Sequence, residues 1–545
     1  MNYIFFFLFF FILFFLGRGL LILIDSFNNI STVDKKIFGV NSYIFYPSIS
    51  LFFLGNISVL FNFIFPLKTV NKWIFLFAGL ILFVNFLNIP KIFSKDFLIV
   101  NFFIPGVMNV TSYNIWLHYD AGLYHLNNQK WINESEIIFG LGNLNIWFSW
   151  SSIYEYISAF FWLDDNFLLL HFINIIFFIL FFSFLYFQIN QNQSKFLKFS
   201  SLNLILFGII DNFGINGGGN GFLYVQTVGK PDVSFSVIFY ITFILLINSF
   251  IENDFSIKNL KIFLYLSLFS IQLKIFGFYL VPILLIYFYK LGSPFIIFKK
   301  LKTFFAISFL WIIKNFIISG CFFFPVEITC SPIVSWYERG RANFARSVLF
   351  DQHIAYNFGD SIQEWFSLWI NHGKNTQIYT NFLISILLLA LVNSIFFKKS
   401  NPVNGFNSFW IRLYQFSIVF TWFLSAPNSR FGMIVCLILI STLSFKHLSS
   451  NQRFKIFQNS TLTGLLFVCI ILTPRFYSYQ SFFDEPFKLS QIETPEQTYI
   501  NSKNGWAVIP ANGDNRCWVN LKCMDIERYV YPENLNSYKI FKSES

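Results

Sequence analysis

Apolar residues run through this chain in long blocks broken by short polar hinges. Neither the alternation of a half-buried strand nor the narrow stripe of a soluble amphipathic helix recurs. A run of about 18 or more apolar residues with few charges reads as a membrane-spanning helix. Such runs fall at 3–25, 40–65, 73–90, 166–187, 200–213, 233–250, 260–273, 276–289, 304–319, 379–397, 409–425, 431–446 and 458–473. The stretch 260–289, interrupted by Lys274 and Gly277, reads as two short helices or one broken one. Three polar segments remain. The pattern therefore predicts an all-α polytopic membrane protein of about thirteen transmembrane helices. Its membrane domain covers 1–473, with one outer loop at 91–165, a second at 320–378 and a small outer-face tail at 474–545. The first run lacks a basic start and a small-residue cleavage site, so it reads as a retained helix.

Composition agrees. Of 545 residues 55% are hydrophobic and only 12% charged, with a mean hydropathy of +0.59. Soluble domains carry about 25% charged residues. The 82 phenylalanines read as lipid-facing filler, as in "FFFLFFFILFFL". The net charge of +11 does not imply nucleic acid, because lysines in a membrane protein mark the cytoplasmic side. With the first residue inside, the inner connections carry Lys68, Lys72, Lys195, Lys198, Lys258, Lys261, Lys290, Lys299, Lys300, Lys302, Lys398, Lys399, Arg412, Lys446, Arg453 and Lys455. The short outer connections carry only Lys35, Lys36, Lys230, Lys274 and Arg430. This asymmetry predicts a cytoplasmic N-terminus and a periplasmic tail. Cysteine placement points the same way. Cys436 and Cys469 fall in spans, whereas Cys321 and Cys330, and Cys517 and Cys523, form two close pairs in the proposed outer segments. Such pairs suit disulfides in an oxidising compartment. Unpaired thiols are the alternative, and neither pair has the spacing of a zinc site.

The polar stretch "HYDAGLYHLNNQKWINE", 118–134, stands out against this background. Three readings of Asp120 compete: a helix N-cap, a salt-bridge partner on a solvated loop, or a carboxylate acting as general base. On an α-helix Asp120 and Tyr124 share one face, with His125 turned partly away. In "GKPDVSF" Asp232 follows a proline, as an acid in the first turn of a helix also would. "WYERGRANFAR" carries Arg339, Arg341 and Arg346, which read either as a grip for an anion or as a solvated basic loop. "NGGGNG", 216–221, lacks the residues of a P-loop and reads as a turn. No HExxH, catalytic serine arrangement or nucleotide fingerprint is present.

A carboxylate just outside an early span, followed by an amphipathic loop, resembles the GT-C class of membrane glycosyltransferases. That class includes the protein O-mannosyltransferases and the lipid A aminoarabinose transferases. "YDAGLYH" looks like the acidic motif of the class's first outer loop, with Asp120 in the position of its base and Ala121 where a second acid is usual. Glu134 and Asp232 are the candidate second acids. "QLKIFGFYLVPILLIYF" is similar to the family's lysine-containing break, with Lys274, and "SAPNSRFGMIV" to its Pro-x-x-Arg entry to a late span, with Arg430. The "YDAGLYHLNNQKWINESEIIFGLGNLN" block and the "CWVNLKC" tail also resemble an uncharacterised bacterial group of polytopic proteins related to this class.

The resemblance implies an inverting sugar transfer from a polyprenyl-phosphate donor to a lipid, glycan or protein acceptor, on the outer face of a bacterial inner membrane. It assigns catalysis to Asp120 and Asp232 and substrate binding to Tyr124, His125, Glu134, Lys274 and Arg430. No metal ligands are assigned; the cofactor is open, a divalent metal being compatible. Asp120, Asp232, Lys274 and Arg430 are expected to meet at one outer cavity, with Tyr124 and His125 lining it and Glu134 at its rim. A lipid-linked glycan transporter, an O-antigen-type polymerase and an inactive scaffold are the alternatives.

Overall fold

The computed structural model describes residues 1–28, 33, 36–37, 40–87, 94–162, 166–190, 194–213, 228–229, 231–292, 301–357, 359–373, 375–396, 405–425, 427, 429–443, 480–502, 507–511, 514–524, 530–535 and 538–543. These are mostly helical. The helices are α1 Asn2–Asn28, α2 Tyr46–Asn62, α3 Leu67–Leu87 and α4, a continuous helical run over 95–113 with a π turn at Ile99–Phe103. Two short helices follow, α5 Leu126–Glu134, preceded by the π turn Ala121–His125, and α6 Ile153–Phe160. The bundle continues with α7 Leu168–Asn190, α8 Lys195–Phe213, α9 Asp232–Glu252, α10 Ile257–Leu273 and α11 Val281–Leu291, entered through the 3-10 turn Ile275–Leu280. Then come α12 Lys302–Ser319, α13 Arg341–His353, α14 Ile362–Asn371, α15 Asn375–Phe396, α16 Gly405–Ser425 and α17 Ser429–Thr442. Among the described residues, five helical segments are long and apolar enough to cross a membrane: Asn2–Ser26, Ser42–Asn62, Leu168–Asn190, Asp232–Glu252 and Lys302–Ser319. The run at 458–473, with Cys469, and the "NGGGNG" turn lie outside the described residues.

The most deeply packed of these are α7 and α9, which are apolar on every side and buried along nearly their whole length. A helix apolar all round is a central helix. By contrast, α12 presents Phe309 outward, and α15 presents Leu383 and Leu387.

Contacts between helix ends sort the bundle into two ends. At one, Asn2 Nδ2 donates to Ser112 O at 3.1 Å and to Ser490 Oγ at 2.8 Å, and Tyr113 Oη reaches Pro486 O. Asn62 Nδ2 bonds Ile132 O and Ser135 O, and Lys68 pairs with Glu134 at 3.4 Å. At the other, Asp25 pairs with Lys261, Tyr186 Oη donates to Asp96 Oδ1, and Tyr43 packs on Phe97 and Phe187.

These contacts correct three expectations. Residues 91–165 are not all loop, because 95–113 forms α4, antiparallel to α1 with Phe7 and Phe11 on Phe102 and Phe14 on Phe97. Lys95, Asp96, Asn101, Pro105 and Asn109 break its apolar run in sequence; in the helix Asn101 Nδ2 is satisfied by Phe97 O. The start of α1 and the tail do not lie on opposite sides: Asn2 and Ser490 are hydrogen-bonded at one end. Finally, Lys68 sits at the end that carries the 118–134 block, and the 36–41 hairpin lies near Asp25 at the other, reversing the sides expected for Lys68 and Lys36.

The tail is strand and loop. Hairpins Tyr499–Asn501 with Val508–Pro510 and Val530–Leu535 with Tyr538–Ser543 pair antiparallel. They dock onto the 118–150 segment: Phe541 N donates to Phe139 O, the buried Phe541 ring packs on Trp131, and Tyr538 Oη reaches Phe63 O at 2.8 Å. Cys517 is bonded to Cys523 and Cys321 to Cys330.

Candidate functional site

The 118–134 block opens on two residues of helix and then a π turn. In a π turn the backbone bonds run five residues apart, so the α-helical face that pairs Asp120 with Tyr124 does not form. Asp120 occupies the position before this turn, yet its side chain makes no capping bond. The capping reading of Asp120 is therefore not the one the chain adopts. Its carboxylate is 14% exposed, with Oδ2 3.5 Å from His118 Nδ1. The same Nδ1 accepts the Asp120 amide N–H at 3.1 Å.

Backbone pairing carries this segment to the start of α9. Leu117 and Val228 form a parallel bridge, with His118 N donating to Val228 O at 3.1 Å. Gly229 lies so close to Ala121 that a Cβ there would come within 2.5–2.8 Å of its atoms. With φ +85° and no room for a side chain, this position requires glycine. Three residues on, Asp232 begins α9, and its buried carboxylate pairs with Lys274. Lys274 is an extended residue between α10 and the 3-10 turn, so the break in 260–289 places its ammonium at the end of the bundle. Ser152 Oγ, which caps α6, donates to Leu273 O at 2.9 Å and ties the preceding residue in place.

A tail loop covers this corner. Trp518 N donates to Gly122 O at 2.8 Å, its indole lies on Gly122, and Asn127 Nδ2 donates to Asn520 O at 2.7 Å. Arg516 stacks between Tyr119 and Trp518, 5.4 Å from each ring centre. Its Nε and Nη2 are held by Asp514, at 2.8 and 2.7 Å. That guanidinium holds the Asp514 carboxyl below its ordinary value of 3.8.

Other expected site residues lie elsewhere. His125 is 2% exposed and its Nδ1 is held by Glu155, whose other oxygen accepts from Gln129 Nε2 at 2.8 Å. It faces the interior beneath the corner and does not line it. Tyr124 stacks on Trp147 with 5.9 Å between ring centres. Glu134, at the end of α5, pairs with Lys68 and Lys130. Arg430 falls in the first turn of α17, and its side chain lies outside the described residues. Arg341 is neither solvated nor available to an anion: it is buried, with Nη2 on Gly142 O at 2.7 Å and Nη1 on Glu338. Sequence reasoning missed His118, Glu155, Lys314 and Arg516. Lys314 is wholly buried near Glu155, with Nζ on Ser151 O at 2.9 Å. A lone lysine in "LWIIKNFIISG" and a lone acid in "SIYEYISAF" were the available signals, since a charge inside an apolar run persists only with a partner.

Among the described residues no group of three or more His, Cys, Asp or Glu side chains could hold a metal ion. Fold and corner together define a mostly helical membrane protein with a polar site at one end of its bundle, covered by its own tail. Residues 1–437 match the model of a family described as a domain of unknown function (DUF8201), and the chain belongs to that family. No curated protein and no solved structure matches it.

Proposed function

We propose that this protein is a glycosyltransferase of the GT-C kind. It moves a sugar from a polyprenyl-phosphate donor to a lipid, glycan or protein acceptor at the outer face of a bacterial inner membrane. The observation that carries the reading is the corner itself. The segment 117–121 that carries Asp120 meets Val228 and Gly229, three residues before Asp232, whose buried carboxylate pairs with Lys274.

In this reading Asp120 takes the proton of the acceptor hydroxyl or amine as that atom bonds the anomeric carbon from the face opposite the phosphate. The bond from the anomeric carbon to the phosphate oxygen breaks, and the polyprenyl phosphate leaves with the electron pair. An ammonium has three N–H donors, so Lys274 can serve Asp232 and a phosphate oxygen together; Arg430 is the second candidate cation. Asp232, buried and paired, then positions Lys274 and is not itself the base. Charge stabilisation of this kind acts strongest where water is excluded, and the tail loop over Gly122 narrows access to it. Among the described residues no cluster of three or more His, Cys, Asp or Glu ligands fits a divalent metal.

With the thirteen apolar runs and α4 read as crossings, about fourteen in all, the even number leaves the start of α1 and the tail on the same side, which this reading takes as the outer one. Arg341, engaged with Gly142 and Glu338, weakens the basic-loop argument for a polymerase.

Asp120→Asn keeps shape and polarity but removes the base. Purified protein in lipid nanodiscs, given a short-chain polyprenyl-phosphate sugar, should lose transfer by about 10²-fold or more while keeping its thermal midpoint. Undiminished transfer by that variant, or movement of the intact lipid-linked sugar across the bilayer with no transfer, would sink the reading.

A further inference from the structure

Far from this corner, a second cavity opens between α9, α11 and α16. Its volume is about 610 Å³, and its lining includes Ile247, Ile283, Tyr414 and Ser417. Lys290 and Trp410 lie among its lining residues at the end of the bundle opposite Asp120. That end is fixed by Tyr287, three residues before Lys290, whose hydroxyl bonds the backbone of Ser256 at the start of α10.

We infer that this cavity binds one acyl chain of an anionic glycerophospholipid, with the lipid phosphate on Lys290. Three observations argue for that occupant. The lining is apolar apart from Lys290 and the hydroxyls of Tyr414 and Ser417, and Tyr414 Oη is already engaged by Tyr279 O. Lys290 is exposed, forms no ion pair among the described residues, and lies in the last turn of α11, two residues before its Gly292 cap. Trp410, half exposed, sits where an indole prefers the head-group layer. From Pro282 to Lys290 the groove follows eight residues of α11, about 12 Å at 1.5 Å per residue. Half of a bilayer's hydrocarbon core is about 15 Å. The groove therefore suits one leaflet's acyl chain and is too short for a polyprenyl chain. A lysine at this interface attracts anionic head groups, and the site is independent of the transfer chemistry proposed above.

The test uses the full chain in nanodiscs of phosphatidylcholine and phosphatidylglycerol at about 3:1, followed by native mass spectrometry of the released protein. Wild-type protein should retain one phosphatidylglycerol. Lys290→Gln, at an exposed position, should lower that retention about tenfold, and Ser417→Trp, which fills the deep end, should lower it similarly. Equal retention of both lipids, or unchanged retention in Lys290→Gln, overturns the proposal. So does cross-linking of two chains through Trp410→Cys, which would make the groove a protein interface. If Ser417→Trp fails to fold, the Lys290→Gln comparison decides alone.

Discussion

At Gly122 a hydrogen stands where a methyl carbon would meet the Trp518 indole at 2.7–2.9 Å. Gly122→Ala must therefore push the indole away from a position fixed by the Trp518 N–H on Gly122 O. Overpacking of this kind costs about 1–3 kcal/mol, and here it falls on the tail's attachment. The expected outcome is faster limited proteolysis within 474–545, with the rest of the chain resisting as before. A second handle is the Asp514–Arg516 pair. Its hydrogen bond lowers the folded carboxyl below 3.8, so the pair's contribution is present above that value and is lost as the pH falls through the lower, folded one. Tail protection should thus hold from neutral pH down to about 4 and weaken below it. In Asp514→Asn that acid step should be absent, and a step of unchanged size would show that other groups control it.

Helices were legible where apolar runs were unbroken, as for α1, α7 and α9, and illegible where a span carries its own polar residues. α4 hides behind Lys95, Asp96 and Asn101, yet Asp96 finds Tyr186 and Asn101 finds Phe97 O, so the helix forms. Candidate residues were legible by contrast: an acid in a phenylalanine-rich chain advertises itself, and of those singled out Asp232 and Lys274 do meet. What the sequence could not carry was direction. A π turn at 121–125 changes which side chains share a face, so His125 is buried against Glu155 and does not face the corner. Glu155 joins α6 to the helical block through His125 and Gln129, while Trp162 Nε1 donates to Gln129 Oε1 at 2.9 Å. Glu155→Gln keeps the volume and removes the charge that both donors face. A buried hydrogen bond to a charged group is worth about 1.5–3 kcal/mol. The variant should show a lower thermal midpoint in detergent with the proposed transfer per folded molecule nearly unchanged, and a selective loss of that transfer would move Glu155 into the chemistry.

On the scale of the whole molecule, the hydrogen bonds of Asn2 to Ser112 and Ser490 change the count of charges on each side. On the proposed orientation, with the start of α1 beside the tail, Lys68 and Lys72 leave the inner set, and Lys36 and Lys95 join it. On that orientation the lysines at 195, 198, 258, 261, 290 and 302 keep their side, with α4 taken as one more crossing. Most of the basic residues therefore stay on one side in this arrangement, as the positive-inside rule requires of a stable orientation. Single cysteines test it in a chain with Cys436 and Cys469 replaced by serine. An impermeant maleimide added to intact cells should label Lys68→Cys and Glu533→Cys, whereas Lys36→Cys and Lys290→Cys should react only after the membrane is opened. Labelling of Lys36→Cys with Lys68→Cys protected would restore the opposite order of the first three helices, and would also remove Lys68 from Glu134.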